Sequence, residues 1–223
     1  MDDRRSPTLP QGIGWYGKLP WVGDFVGRGL PGPWVRTWDA WLQRCLPAVE
    51  QRLGRALLRQ HVRGMATWQW LLPGAGRGEP AWSGVVGGSA DRVGRVFPLL
   101  VAEGLDAGAI DAVPLAQLQA RALAMSDWLY DAMALDSLEA FEHSASHWAT
   151  TPWPPLAAAA PEPASPTGAV PLRDDTVAAL RRAWPQAASF WWCTEPVADI
   201  RAPMVAAWPP HDGLMFTLLG VRP

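Results

Sequence analysis

Between Met65 and Ala102 the chain alternates apolar blocks with turn-forming residues three times, and this pattern restricts the fold more than any other. Met65-Ala-Thr-Trp-Gln-Trp-Leu-Leu72 carries alternating large apolar residues and no helix cap. A Gly/Pro turn from Pro73 to Pro80 leads into Ala81-Trp-Ser-Gly-Val-Val86, and a second glycine-rich turn feeds Arg95-Val-Phe-Pro-Leu-Leu-Val-Ala102. Three strands separated by turns predict an antiparallel meander. Pro98 has no N–H to give to a sheet ladder, so the third strand is expected at an edge, or with a bulge at that residue.

Helical patterns flank the meander. From Pro33 the residues Val35, Trp38, Leu42, Cys45 and Val49 follow 3–4 spacing, and Leu53 and Leu57 extend the stripe. Pro47 falls inside and is expected to kink the helix or split it. A second helix is expected from about Pro114 to Leu135, with Leu115, Leu118, Ala122, Met125, Leu129 and Ala132 on one face. Asp136, three residues before Glu139, resembles a capping box for a short following helix. Asp174 or Asp175 is expected to cap a helix to Trp184, and Ser189–Thr194 reads as a buried strand. Gly213–Leu219 fits either a strand or a short helix. Residues 1–12 are expected to be frayed, and the Pro- and Ala-rich run 149–172 reads as a linker or long surface loop. No internal repeat is present. The pass predicts an α/β (α+β) fold: a mixed, largely antiparallel sheet with helices packed on it, in one compact domain over 13–223.

The 223 residues suffice for one large domain or two small ones. A net charge of −2 gives no basic footprint for nucleic acid. Cys45 and Cys193 lie in apolar runs, as buried reduced thiols of a cytoplasmic protein do. No signal peptide and no run of membrane-spanning length is found, so no membrane insertion is expected. The 15 tryptophans are spread along the chain and are expected to fill the core with their N–H groups capped.

Gly12-Ile-Gly-Trp-Tyr-Gly-Lys-Leu-Pro-Trp-Val-Gly-Asp-Phe25 satisfies both G-x-G-x-x-G and G-x-x-x-x-G-K. Context argues against a phosphate cradle: no hydrophobic strand precedes it, Leu19 stands where a hydroxyl would hold magnesium, and Pro20 interrupts helix nucleation. The same residues read as a stiff turn or a partner surface, with Lys18 a turn or surface residue and Asp24 bonding backbone amides or pairing with a cation. Ser89-Ala-Asp-Arg-Val-Gly-Arg95 is a second charged cluster. Asp91 can pair with Arg92 or Arg95 to fix its own turn, or the cluster can join Lys18, Asp24 and Arg28 in one polar surface. His143 and His147 are spaced i, i+4 but lack the H-E-x-x-H order and read as a solvated helix end. No catalytic constellation, metal site or cofactor site emerges, and the chain is expected not to be an enzyme.

As a string, Trp15-Tyr-Gly-Lys-Leu-Pro-Trp-Val-Gly-Asp-Phe-Val-Gly-Arg-Gly-Leu-Pro31 resembles the N-terminal signature of the TagF (ImpM) family, accessory proteins of bacterial type VI secretion systems. Trp38-Asp-Ala-Trp-Leu-Gln43, Ala81-Trp-Ser-Gly-Val-Val86, Ser89-Ala-Asp-Arg-Val-Gly-Arg-Val-Phe-Pro98 and Ser189-Phe-Trp-Trp192 are similar in the same order. Gly88-Ser-Ala departs from the family's usual Pro-Ser-Val, and 149–172 resembles a variable insertion. The resemblance implies a compact α/β domain and a post-translational negative regulator. It further implies action on the cytoplasmic side through an FHA-domain scaffold of the apparatus, with other cytoplasmic or inner-membrane-associated components as further partners. Some members carry a fused phosphatase domain. This chain shows none, so a phosphatase is expected to act as a separate protein. The alternatives are a structural assembly adaptor that secretion requires, and a nucleotide-responsive enzyme using Lys18, Asp24 and Asp91. The motif marks Lys18, Asp24, Phe25, Arg28, Trp38, Asp39, Trp82, Ser89, Asp91, Arg92 and Arg95 as candidate interaction residues.

Overall fold

The computed structural model describes residues 12–74, 81–106, 109–153, 176–185, 189–193 and 204–221. Its elements run β1 (Ile13–Lys18), β2 (Phe25–Arg28), α1 (Gly32–Leu53), α2 (Arg55–Arg63), β3 (Trp68–Leu72), β4 (Ala81–Gly87) and β5 (Leu99–Leu105). A 3-10 turn (Ile110–Ala112) then leads to α3 (Leu115–Met133), α4 (Leu138–Trp148), α5 (Val177–Ala183), β6 (Ser189–Cys193), β7 (Met204–Ala206) and α6 (Asp212–Leu218). The seven strands form one open sheet in the order β2-β1-β5-β4-β3-β6-β7, and every neighbouring pair is antiparallel.

The expected meander is the middle of this sheet, and period-2 alternation sorts its side chains into two cores. Trp68, Trp70, Leu72, Trp82, Val86, Leu100, Ala102 and Trp191 pack with α1, α2 and α6 on one face. Leu71, Ala81, Leu105 and Phe190 pack with α5 and the start of α3, and Val85, Leu99 and Val101 with the rest of α3 and α4, on the other. The result is three layers, helix–sheet–helix. A fully buried Leu or Val in such a core contributes about 1.5–3 kcal/mol.

Two prolines behave differently from expectation. Leu99 opens β5, so Pro98 stands just outside the ladder, and β5 is a central strand between β1 and β4 instead of an edge. Pro47 lies within α1, which runs on to Leu53. The missing N–H is tolerated on an exposed face, while Trp41, Leu42, Cys45, Leu46 and Val49 stay buried. The break falls at Gly54, whose φ of 81° ends α1 and lets α2 start in a new phase. That phase change leaves Leu57 exposed and puts Leu58 and Val62 in the core.

The α3 stripe is as expected: Leu118, Ala122, Met125, Leu129 and Ala132 are buried. The cap of α4 is Ser137, whose hydroxyl accepts from the Ala140 N–H at 3.2 Å, not Asp136. Gly213–Leu219 resolves as helix α6. Asp174, Asp175, residues 1–11 and 154–172 lie outside the described residues. Cys45 is buried, and burial followed by the Asp212 carboxylate pushes its thiol up to about 12; Cys193 is half-buried, and neither forms a disulfide among the described residues.

The tryptophans fill the core, but not all are capped. Trp68, Trp128 and Trp191 donate to Leu218 O, Ser144 Oγ and Ser189 Oγ. The buried N–H groups of Trp34, Trp38, Trp41, Trp70 and Trp148 have no acceptor among the described residues. Four of these sit in one cluster, where Trp38 meets Trp34, Trp41, Trp191 and Trp208 at interplanar angles of 63–69°. That is the arrangement in which a ring edge faces a π surface, a weaker substitute for an oxygen acceptor.

Candidate functional site

The two glycine patterns at the N-terminus have no phosphate-binding geometry. Gly14 and Gly17 lie inside β1, with no loop-to-helix turn after them, and Lys18 is the last residue of the strand. Lys18 is buried, not a turn or surface residue. Its ammonium nitrogen lies 2.6 Å from Asp91 Oδ2 and 4.7 Å from the centroid of Phe25, its cross-strand partner.

Asp91 is the centre of the arrangement. Its Oδ1 accepts from the backbone N–H groups of Val93 (3.1 Å) and Arg95 (2.8 Å). Its Oδ2 accepts from Lys18 and from Arg95 Nε (2.6 Å). Burial by itself would raise this carboxyl. The hydrogen bonds from Lys18 and Arg95 outweigh it and hold Asp91 far below the usual carboxylate range. Ser89 Oγ donates to Lys18 O at 2.6 Å, Arg92 N–H donates to Val22 O at 2.9 Å, and Arg95 Nη2 donates to Gly23 O. The loop after β4 is therefore sewn to the connection between β1 and β2 by one buried ion pair and three hydrogen bonds.

The two charged sequence clusters thus meet, though only in part. Asp91 pairs with Arg95, while the Arg92 side chain points outward and is exposed. Asp24 is exposed, and its Oδ1 accepts from the N–H of Phe25 at 2.8 Å. Arg28 is three residues beyond Phe25, so strand alternation sends it to the other face, where it pairs with Glu142 of α4 at 2.9 Å. Asp39 of α1 accepts from the Tyr16 hydroxyl at 2.6 Å; burial and that carboxylate raise the phenol well above its ordinary value. Trp38 and Trp82 are buried in the tryptophan cluster, Trp82 stacked on Trp34 at 5.4 Å.

Gly88 has a packing role. A Cβ at this position would stand 1.7 Å from Val62 O, so the end of α2 rests directly on the turn that leads to Asp91. Tyr16, Val22 and Gly23, which lie in the signature string without being marked as candidates, and Arg63, which lies outside it, also belong to this neighbourhood; the first three contribute through backbone atoms or an aromatic contact.

Both Asp91 oxygens and the Lys18 ammonium are engaged by the protein itself, so the cluster offers neither a free base nor an activated nucleophile. No group of ligating side chains suited to a metal occurs among the described residues. His143 and His147 lie exposed on α4. No helix among the described residues is long and apolar enough to cross a membrane.

Comparison with known proteins gives matches of two kinds. The family model "TagF N-terminal domain, Type VI secretion system-associated" matches residues 14–151. Three chains of solved structures match; one is the crystal structure of PA0076 from Pseudomonas aeruginosa PAO1, at 30% identity and a TM-score of 0.64, covering 93% of each chain. No curated protein matches. The family match ends before β6, yet Trp191, Met215 and Leu218 belong to the same core as Trp38 and Trp70, so the fold runs well past it. The motif strand β1, the loop that holds Asp91 and the matched span all fall together, and the chain belongs to the TagF family, associated with type VI secretion.

Proposed function

We propose that this chain is a non-enzymatic accessory protein of a type VI secretion system, acting in the cytoplasm as a post-translational negative regulator that binds an FHA-domain scaffold of the apparatus. The observation that carries the non-enzymatic part is the state of the Lys18–Asp91–Arg95 cluster. The motif residues with the most chemical potential are spent on joining two loops, with every Asp91 oxygen already accepting two hydrogen bonds. Such a motif preserves a shape, and a preserved shape serves binding. Membership of a secretion-associated family supplies the system in which that shape works.

Deletion of the gene is expected to raise secretion of the tube protein, and overexpression to lower it. Loss of secretion on deletion would instead establish an assembly adaptor, and no response to either would remove the regulatory reading. Purified chain and FHA-domain protein should co-elute in size-exclusion chromatography. Calorimetry with ATP, GTP and NAD should show no heat.

A further inference from the structure

Charge differs between two helical surfaces, that of α3–α4 and that of α2. On α3 and α4 the exposed ionised residues are Asp127, Asp131 and Glu139, followed in the connecting turn by Asp136, while the one arginine of these helices, Arg121, is buried. On the other surface α2 reads Arg-Ala-Leu-Leu-Arg-Gln-His-Val-Arg with no acidic residue. Arg55 is paired with Glu50 at the start of this helix. Arg59 and Arg63 are exposed, and no carboxylate among the described residues pairs with them.

The 91–95 loop adds to this row. A Cβ at Gly94 would stand 3.4 Å from the Arg63 guanidinium, and one at Gly23 would stand 3.7 Å from that of Arg92. Arg95 reaches Gly23 O from the same loop. Arg63, Arg92 and Arg95 therefore border one patch, with Arg59 one helical turn away. Between the arginines Val93 is 65% exposed, an apolar tip with no core to enter. The Lys18–Asp91 lock beneath holds this tip in place.

We propose that the outer row of α2 and the 91–95 loop form a docking surface for an acidic segment of a partner protein, with Arg59, Arg63 and Arg92 binding its carboxylates and Val93 packing against its backbone. Unpaired arginines present planar forks suited to bidentate carboxylate contact. Arginines one turn apart on a helix are about 6 Å apart along its axis, and alternate residues of an extended chain repeat at about 6.6–6.8 Å. A strand-like segment with acidic residues at every second position fits that spacing. A nucleic acid fits less well, because the chain is net negative and α2 offers only a short row of arginines. The inference rests on the reading of this chain as a binding module.

The test is fluorescence anisotropy with a labelled peptide of alternating glutamate and serine, its glutamine twin, and a labelled DNA duplex. The full chain should bind the glutamate peptide, with affinity falling as salt rises, and should bind the twin and the duplex far more weakly. Arg59→Gln/Arg63→Gln should weaken peptide binding about tenfold, and adding Arg92→Gln should weaken it further. Gln119→Glu/Leu123→Glu, on the exposed face of α3, makes the same change in net charge and should leave binding within about twofold. Equal loss in both double variants would reduce the effect to net charge and overturn the proposal. So would absence of peptide binding, or equal affinity for the duplex. Salt-sensitive self-association that Arg59→Gln/Arg63→Gln abolishes would identify a second copy as the occupant and overturn it as well. Titration with the FHA-domain protein separates the two readings. If that protein binds wild type and the arginine variants equally, the surface is wrong and the regulatory partner stands. If it binds neither while the peptide still binds, the partner is wrong and the surface stands.

Discussion

Two ion pairs are buried among the described residues, and they are built on different plans. Arg121 of α3 meets Glu103 of β5 through side chains alone: Nε lies 3.1 and 3.2 Å from the two carboxylate oxygens and Nη2 lies 3.0 Å from Oε2. The same guanidinium bonds Thr151 O and lies 4.4 Å over the Trp148 ring. Asp91, by contrast, takes half of its hydrogen bonds from backbone amides of its own loop. The first pair fastens a helix to a sheet and could be exchanged for something apolar. The second defines the path of the backbone, and no apolar residue can stand in for it. A buried charge is specific to its place when main-chain donors depend on it.

The largest effect is expected from Asp91→Ala, which leaves Lys18 buried without a counter-charge and two amides without an acceptor. A loss of about 4 kcal/mol is expected in urea unfolding. The same pair should dominate the acid response. Because the folded Asp91 pKa is depressed, its stabilisation is complete above the unfolded carboxylate value of about 3.9 and is lost as pH falls below that toward the folded value. The stability gap between wild type and Asp91→Asn should therefore be constant from neutral pH to about 5 and shrink on further acidification.

Glu103→Ala should cost about 3 kcal/mol, less because Arg121 keeps its bond to Thr151 O and its aromatic neighbour. The double replacements divide the two plans most sharply. Lys18→Met/Asp91→Leu should still cost about 2 kcal/mol for the abandoned amides, whereas Arg121→Met/Glu103→Leu should fall within about 1 kcal/mol of wild type. Equal costs would refute the contrast. The smallest change is expected from Ser137→Ala, about 1 kcal/mol for the lost cap of α4, read from the thermal midpoint.

Where a residue's neighbours are local, the sequence was informative. The meander, the α3 stripe and β6 follow from spacing, since period 2 and period 3.6 are set within a single element. Other features depended on distant partners. Lys18 and Asp91 are 73 residues apart, and nothing in either cluster specifies the other. β2 is four residues long with Gly27 inside it and owes its strand form to β1. Pro47 would break an isolated helix, yet Trp41, Leu42, Cys45 and Val49 are buried on both sides of it, and that packing carries α1 through. The uncapped indoles were unreadable for a similar reason: whether an N–H finds an oxygen depends on which rings the other strands bring.

The strand order has a consequence for how the chain acquires its structure. β1 precedes the other strands but belongs beside β5, so a nascent chain carries the β1–β2 hairpin for about seventy residues, from Arg28 to Leu99, before the neighbouring strand exists. A lone two-stranded hairpin is only marginally stable. During that interval Lys18 has no Asp91, and Trp15, Tyr16 and Phe25 have no core to enter. Emergence of residues 91–105 supplies the sheet neighbour, the ion pair and the Phe97 contacts of Tyr16 and Phe25 together, while Trp15 waits further for Phe141 of α4. The N-terminal signature string thus spends part of synthesis without its sheet neighbour, and that period of waiting is written into the sheet's topology.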